Sequence, residues 1–322
     1  MVRNMLERGL RFPRLATVGK MPAHLLLVIV LVVMGVAFAI LAPGFATGGN
    51  IVNVLRQSSS LFMLACGQTL VLLLGGIDLS QGSVVALVSV ITALALIRFG
   101  TVAGTLMGLL TGAGCGLISG LLIAKAKVQP FIVSLGMLFT IEGITLIITR
   151  ETIAGLPESF AVIGGGMAGP IPVPVILFAL VAFILYQLLR QTTFGRNIYA
   201  IGGNEEAARL SAIEIARTKI LVWVLNGFLV ALGSIILTSR FSSGEPLLGS
   251  GLLLESIGAA VIGGTSIFGG RGGVIQAVLG VLFIAFLVNG LNMMGIPVAV
   301  KDALIGVLII LAVWFGFRGR KS

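Results

Sequence analysis

Few side chains in this sequence have the chemistry to do more than pack. The 322 residues include 11 acidic groups, one histidine and two cysteines. Three carboxylates, Asp78, Glu142 and Glu255, interrupt apolar stretches. A carboxylate at membrane depth costs about 2.5–3.5 kcal/mol on insertion scales, so each needs a cavity, a partner or a broken helix end. They are the groups a proton relay would use, but the sequence supplies no histidine or lysine to complete one. Around Asp78, the run Gly75-Gly76-Ile77-Asp78-Leu79-Ser80, with Gly82-Ser83 following, reads as a helix break. The Gly-Gly pair ends one helix, and Asp78 or Ser80 caps the next. The same break can line a translocation path, because discontinuous helices build transport sites. Gly263-Gly264-Thr265-Ser266 is a second such break, followed by the basic turn Gly269-Gly270-Arg271-Gly272-Gly273. That turn invites a phosphate reading, yet no GxxxxGK[ST] pattern occurs anywhere, so no Walker nucleotide site is expected. Arg271 is read as an orienting or partner-touching charge. His24 opens an apolar run with no ligand-type neighbours, and Cys66 and Cys115 lie inside apolar runs as small buried residues. No clustered constellation for covalent catalysis is present, and no metal or cofactor is expected.

The elements that must hold these groups follow from composition. Hydrophobic residues make up 57% and charged residues 10%. Soluble domains average roughly 45–50% and 25%, and so few charges cannot cover a water-soluble body of this size. A multi-span membrane protein remains. Apolar runs fall at about 23–41, 57–76, 82–98, 101–124, 129–149, 173–190, 218–238, 252–268, 273–292 and 297–317, each near the roughly 20 residues a spanning helix needs. The net charge of +10 is a topology signal, not a nucleic-acid footprint. With ten spans and a cytoplasmic start, the 21 basic residues divide 16 inside to 5 outside, the outer five being Arg56, Arg98, Arg150, Arg240 and Lys301. The expected fold is therefore all-α, with about ten transmembrane helices, glycine-rich discontinuities and both termini cytoplasmic. Its parts are a basic segment 1–22, one transmembrane domain 23–317 and a basic tail 318–322. The first span is read as retained, since no small-residue cleavage site closes it. Residues 150–172 read as a turn-rich outer loop. Asn226, Asn289, Asn292, Gln68 and Gln276 are read as hydrogen-bonding glue between helices, with Phe283 among them.

The inner connection, 191–217, is the most informative stretch. Gly202-Gly203 breaks the chain, Asn204 caps a short helix, and Glu205 and Glu206 fill its first turn, where negative charge suits the helix dipole. Ala207, Ala208 and Leu210 are read as one small, apolar face, with Arg209 pointing elsewhere and Ser211 closing the run. Such a helix either docks into a partner's groove or merely joins two spans. The stretch GRNIYAIGGNEEAARLSAIEI resembles the coupling loop of ribose-type ABC transporter permeases, the membrane subunits of bacterial monosaccharide importers. The stretch from Gly75 to Ser83 and the stretch IGAAVIGGTSIFGGRGG from Ile257 to Gly273 resemble the same family. One departure is Ala212, where that family carries glycine; alanine permits the helix to continue. Glu255 stands where the family carries aspartate.

The resemblance implies a non-catalytic permease of the bacterial inner membrane. A cytoplasmic ABC ATPase would dock at Gly202 through Ser211 and at Arg271. A periplasmic or lipid-anchored sugar-binding protein would deliver cargo, and a second permease copy or a similar paralogue would complete the channel. Gly75, Gly76, Asp78, Ser80, Glu255, Gly263, Gly264, Thr265 and Asn289 are the candidate path residues. The competing reading is a secondary transporter driven by an ion gradient.

Overall fold

The structure, a computed structural model, describes residues 23–318, with side chains from 25 to 314. The basic segment 1–22, residues 319–322 of the basic tail and the side chain of His24 lie outside the described residues. The described residues are mostly helical. Its elements are α1 (Ala23–Leu41), α2 (Gly48–Leu73), α3 (Gln81–Ala124), α4 (Pro130–Ile148), α5 (Glu158–Gly165), α6 (Val173–Gln191), α7 (Thr193–Gly203), α8 (Glu205–Leu210), α9 (Ile215–Phe241), α10 (Leu252–Ile262), α11 (Val274–Met293) and α12 (Val298–Arg318). A two-stranded antiparallel ribbon, β1 (Met167–Ala168) and β2 (Ile171–Pro172), follows α5. Among the described residues, α3, α4, α6, α9 and α11 are long and apolar enough to cross a membrane by length and composition. Large apolar side chains such as Val33, Val102, Leu110, Ile147 and Ile310 are exposed around the bundle. In water that belt would be an aggregation surface; in a bilayer it is the lipid-facing surface.

The 44 residues of α3 do not form one rod. Gly100 has φ +82°, a left-handed angle that glycine adopts without strain. There the helix folds back into two arms, 81–99 and 101–124. A Cβ placed on Gly104 would meet Leu96, and one on Gly108 would meet Thr92, as an antiparallel pair requires. The second arm then packs on α9. Gly112 and Gly227 face each other so closely that a methyl group on either would collide with the other's carbonyl oxygen. Glycine recurs every fourth residue along this arm, at 104, 108, 112, 116 and 120. That spacing lays one bare stripe along a helix, which lets backbones touch where no hydrophobic effect drives helices together. Trp223 and Val222 of α9 are buried in the core beside it.

The bundle has two ends. One, the Gly202 end, gathers the end of α2, the 125–129 turn, α7, α8 and the 263–273 loop. The other, the Gly100 end, gathers the α3 hairpin, α5, and the 150–157 and 242–246 segments. There the Thr101 and Ser159 hydroxyls lie 2.6 Å apart, and Ile153 and Gly244 exchange backbone hydrogen bonds. Two local expectations are corrected. The run expected at 252–268 holds a helix of only 11 residues, about 16 Å at 1.5 Å per residue and half of a roughly 30 Å hydrocarbon core. Gly263 to Gly273 is not helical, in keeping with the break and basic turn expected there. The outer loop 150–172 contains a helix, α5, whose Gly164 N–H donates to Ser239 Oγ of α9 at 2.8 Å.

Candidate functional site

The three glycine-rich stretches, far apart in sequence, meet at the Gly202 end. Helix α2 ends at Leu73, and its carbonyl oxygen accepts from Gly270 N–H at 2.9 Å. Gly202, at the end of α7, lies against the same carbonyl, and a methyl group there would overlap it and the Gly270 nitrogen. Three backbones therefore touch with no side chain between them. Tyr199 of α7 reinforces the joint by donating its hydroxyl to Gly272 O at 2.8 Å. Burial holds that phenol above its ordinary value, partly offset by Arg190, so it keeps the donated proton at neutral pH.

Helix α8 hangs from this joint. Asn204 has extended angles and its side chain accepts from Ala207 N–H at 3.0 Å, the expected cap. The expected shared face does not form: Ala208 is buried, while Ala207 is exposed and Leu210 is 82% exposed. Residues 207 and 210 are one turn apart, whereas 208 lies about 100° round the helix from 207. Arg209 turns to Glu206 at 2.6 Å on the exposed side. Lys219 of α9 reaches Glu205 at 2.8 Å, tying α8 to that helix. The helix does not continue at Ala212, which sits at φ +59° and turns the chain without glycine. A groove of about 540 Å³ opens beside α8, lined by Lys127, Pro130, Glu205, Arg209, Ile213 and Lys219 among others. Arg271 is exposed at the same end.

Beyond the joint the chain turns back into the bundle. Asp78 is only 3% exposed, and both its oxygens are used. Oδ1 accepts from Ser80 N–H at 2.8 Å and Ser80 Oγ at 2.6 Å; Oδ2 accepts from Asn226 Nδ2 of α9 at 2.6 Å. Asn226 Oδ1 accepts from Gln81 Nε2 at 2.9 Å, and Gln81 Oε1 accepts from Ser256 Oγ of α10 at 2.7 Å. Gln68 of α2, with its amide turned to match, brackets the Asp78 backbone at 3.2 Å on both sides. Ser134 Oγ of α4 donates to Ile77 O at 3.1 Å. Asp78 thus makes a local turn with Ser80 and ties α2, α3, α9 and α10 together. It does not cap α3 directly: Ser80 precedes the first turn and supplies no side-chain cap. Gln81 also donates to Leu64 O at 3.1 Å. Leu64 is nine residues before Leu73, so α3 starts about 14 Å inward from the end of α2.

The other candidate residues are dispersed. Gly75 and Gly76 lead out of the joint, Gly75 beside the Phe268 carbonyl and Gly76 beside Pro130. Gly263 and Gly264 end α10, with Gly263 against the Gln276 carbonyl of α11; Thr265 is buried next to Gly272. Glu255 sits beside the network residue Ser256, but within electrostatic reach of Lys301 and Asp302 of α12, so a lysine does stand near one of the three carboxylates. Asn289 is at the opposite end, exchanging amide hydrogen bonds with Asn50 at 2.9 and 3.1 Å. Cys66 and Cys115 are free and buried. Asn226, read from the sequence as glue between helices, does join them and becomes the hub of the network. One feature is not singled out by the sequence reading. Residues 242–251 leave the Gly100 end and run beside the first arm of α3; their signal was the cluster Ser242-Ser243-Gly244-Glu245-Pro246 before an unusually short apolar run.

Comparison with known proteins bears on this architecture. Residues 50–313 match the family model described as branched-chain amino acid transport system / permease component. The chain is 41% identical over 287 residues to the ribose import permease protein of Bacillus subtilis (strain 168), covering 88% of this chain and 89% of that one. It is 38% identical to the ribose import permease protein of Escherichia coli (strain K12), covering 88% and 91%. It is 37% identical to the L-arabinose transport system permease protein of that strain, covering 92% and 91%. No solved structure matches the chain. A helical bundle with a lipid-facing belt, built around glycine joints, thus carries the sequence of a transport subunit along nearly its whole length, and the chain belongs to this family of transport-system permease components.

Proposed function

We propose that this chain is the membrane subunit of an ABC importer that carries a small monosaccharide inward through the bacterial inner membrane. The convergence of Leu73, Gly202 and Gly270 carries the reading. In ten crossings, α1, α2, both arms of α3, α4, α6, α9, the 242–262 segment with α10, α11 and α12 traverse the bilayer. The Gly202 end then faces the cytoplasm, as do both termini. Lys125, Lys127, Arg196, Arg209, Arg217, Lys219 and Arg271 belong to that end, in keeping with the positive-inside rule. A cytoplasmic ATPase grips α8 at Ala207 and Leu210, with Gly202 through Ser211 as the coupling segment and Arg271 at its edge. A thrust on α8 passes through the bare contact at Gly202 into the end of α2 and the 263–273 loop. From there it reaches the Gly75–Ser80 and Gly263–Thr265 breaks, which line or frame the path together with Glu255 and Asn289. ATP binding favours one of two packed arrangements, and the differential grip of the ATPase shifts the balance. A periplasmic or lipid-anchored binding protein delivers the sugar at the Gly100 end, and a second copy or close paralogue completes the channel. The chain itself catalyses no covalent step. The sugar assignment is supported by the ribose and arabinose names of its relatives.

Reconstitution tests the reading. Liposomes holding the chain, its ATPase and its binding protein import sugar only when ATP is present, and the chain alone is idle under any ion gradient. Uptake by the isolated chain on a sodium or proton gradient would overturn it.

A further inference from the structure

The segment 242–251 is non-helical backbone alongside a membrane-spanning arm. Glu245 N–H donates to Ser89 Oγ at 3.1 Å, and further along Gly249 packs backbone to backbone against Gly82, where the first arm of α3 begins. Irregular backbone at this depth is tolerated only where protein covers it or water lines it. Here a cavity of about 180 Å³ lies beside it, lined by Ser83, Glu142, Pro246, Ser250 and Leu253 among others. That is room for about six waters at roughly 30 Å³ each, the scale of one sugar ring. Glu142 is exposed on α4, between the exposed lipid-type residues Phe139 and Ile147, and its carboxylate has no hydrogen bond or ion pair among the described residues. A carboxylate facing acyl chains is costly, and intramembrane carboxylates face a bundle interior or a water-filled cavity; Glu142 lines the cavity just described.

We propose that this cavity is a waypoint for the cargo, in which a neutral polyhydroxylated solute passes the Glu142 carboxylate. A carboxylate accepts from two hydroxyl groups, and the Ser83 and Ser250 hydroxyls add hydrogen-bonding groups to the same lining. A single acceptor cluster in a mostly apolar lining recognises hydroxyls without holding them tightly, which suits a passage. The inference rests on the permease reading above.

The test uses the complete transporter in proteoliposomes. Glu142→Cys and Ser250→Cys are exposed to a water-soluble, membrane-impermeant thiol reagent, with Ile147→Cys as the lipid-face control. Both cavity positions label and the control does not. Uptake is then measured for whichever of D-ribose, L-arabinose and D-allose the unaltered transporter imports. Glu142→Leu lowers it at least tenfold, Glu142→Gln lowers it less, and co-purification with the ATPase is unchanged in both. The waypoint is overturned if Glu142→Cys labels no faster than Ile147→Cys, or if Glu142→Leu transports as the parent does. An unaltered chain that transports without its ATPase overturns the permease reading instead, so the two failures are distinct.

Discussion

The bundle is broken twice near mid-depth, and the two breaks are closed by different means. At Gly75–Ser80 the returning chain is sealed by side chains: Asp78, Asn226, Gln81, Ser256 and Gln68 satisfy one another in a buried interior. At 242–251 the chain is held through its backbone, against Ser89 and Gly82, and a cavity with an unpartnered carboxylate remains beside it. The same device, non-helical backbone inside a membrane protein, is a knot in one place and a passage wall in the other. What separates them is whether polar groups are consumed within the protein or left for something else to meet.

Substitutions sharpen the contrast. The largest effect is expected at the knot. Asn226→Leu strips Asp78 and Gln81 of a buried partner and should cost about 1.5–3 kcal/mol, the range for a buried hydrogen bond to a charged group, read as a clear fall in thermal unfolding temperature in detergent. Stability equal to the parent would show that the knot holds nothing. Gly202→Val comes next: it should leave the purified chain folded but uncouple it, with sugar uptake falling at least tenfold while binding-protein docking persists. Normal uptake by this variant would mean that the thrust takes another route. At the passage wall, Ser250→Ala should change stability by less than about 0.5 kcal/mol, as surface changes do; a loss as large as that of Asn226→Leu would erase the distinction. Ala212→Gly should raise stability by about 1 kcal/mol, the cost of a left-handed alanine, seen as a small upward shift in the same melting curve. Arg209→Ala, which removes an ion pair exposed to solvent, should move stability least, within about 0.5 kcal/mol.

The sequence made some of this legible. Each of the ten apolar runs contains a helix, because hydropathy over 20 residues is a local property. The Asn204 cap and the break around Asp78 were readable for the same reason. The convergence of Leu73, Gly202 and Gly270 was not, since nothing local states which distant glycines touch. The inward turn of Ala208 was lost because a six-residue helix is too short for periodicity to fix its phase. The left-handed Ala212 escaped because alanine gives no signal for that angle. The descent of 242–251 was not legible, since serine, glycine and proline mark a turn wherever the turn lies. The four-residue glycine spacing in the second arm of α3 was visible as a pattern but did not name α9 as its partner.

That bare seam has a mechanical consequence. Where Gly112 meets Gly227 there are no rotamers to change and no interlocking side chains to ratchet, so the arm and α9 form a single stiff beam about 40 Å long, the rise of 27 helical residues. Lys219 clasps Glu205 near one tip of the beam, and α5 rests on the other. If the proposed ATPase docks at the near tip, a tilt of a few degrees set there would reappear at the far tip as a displacement of a few ångströms.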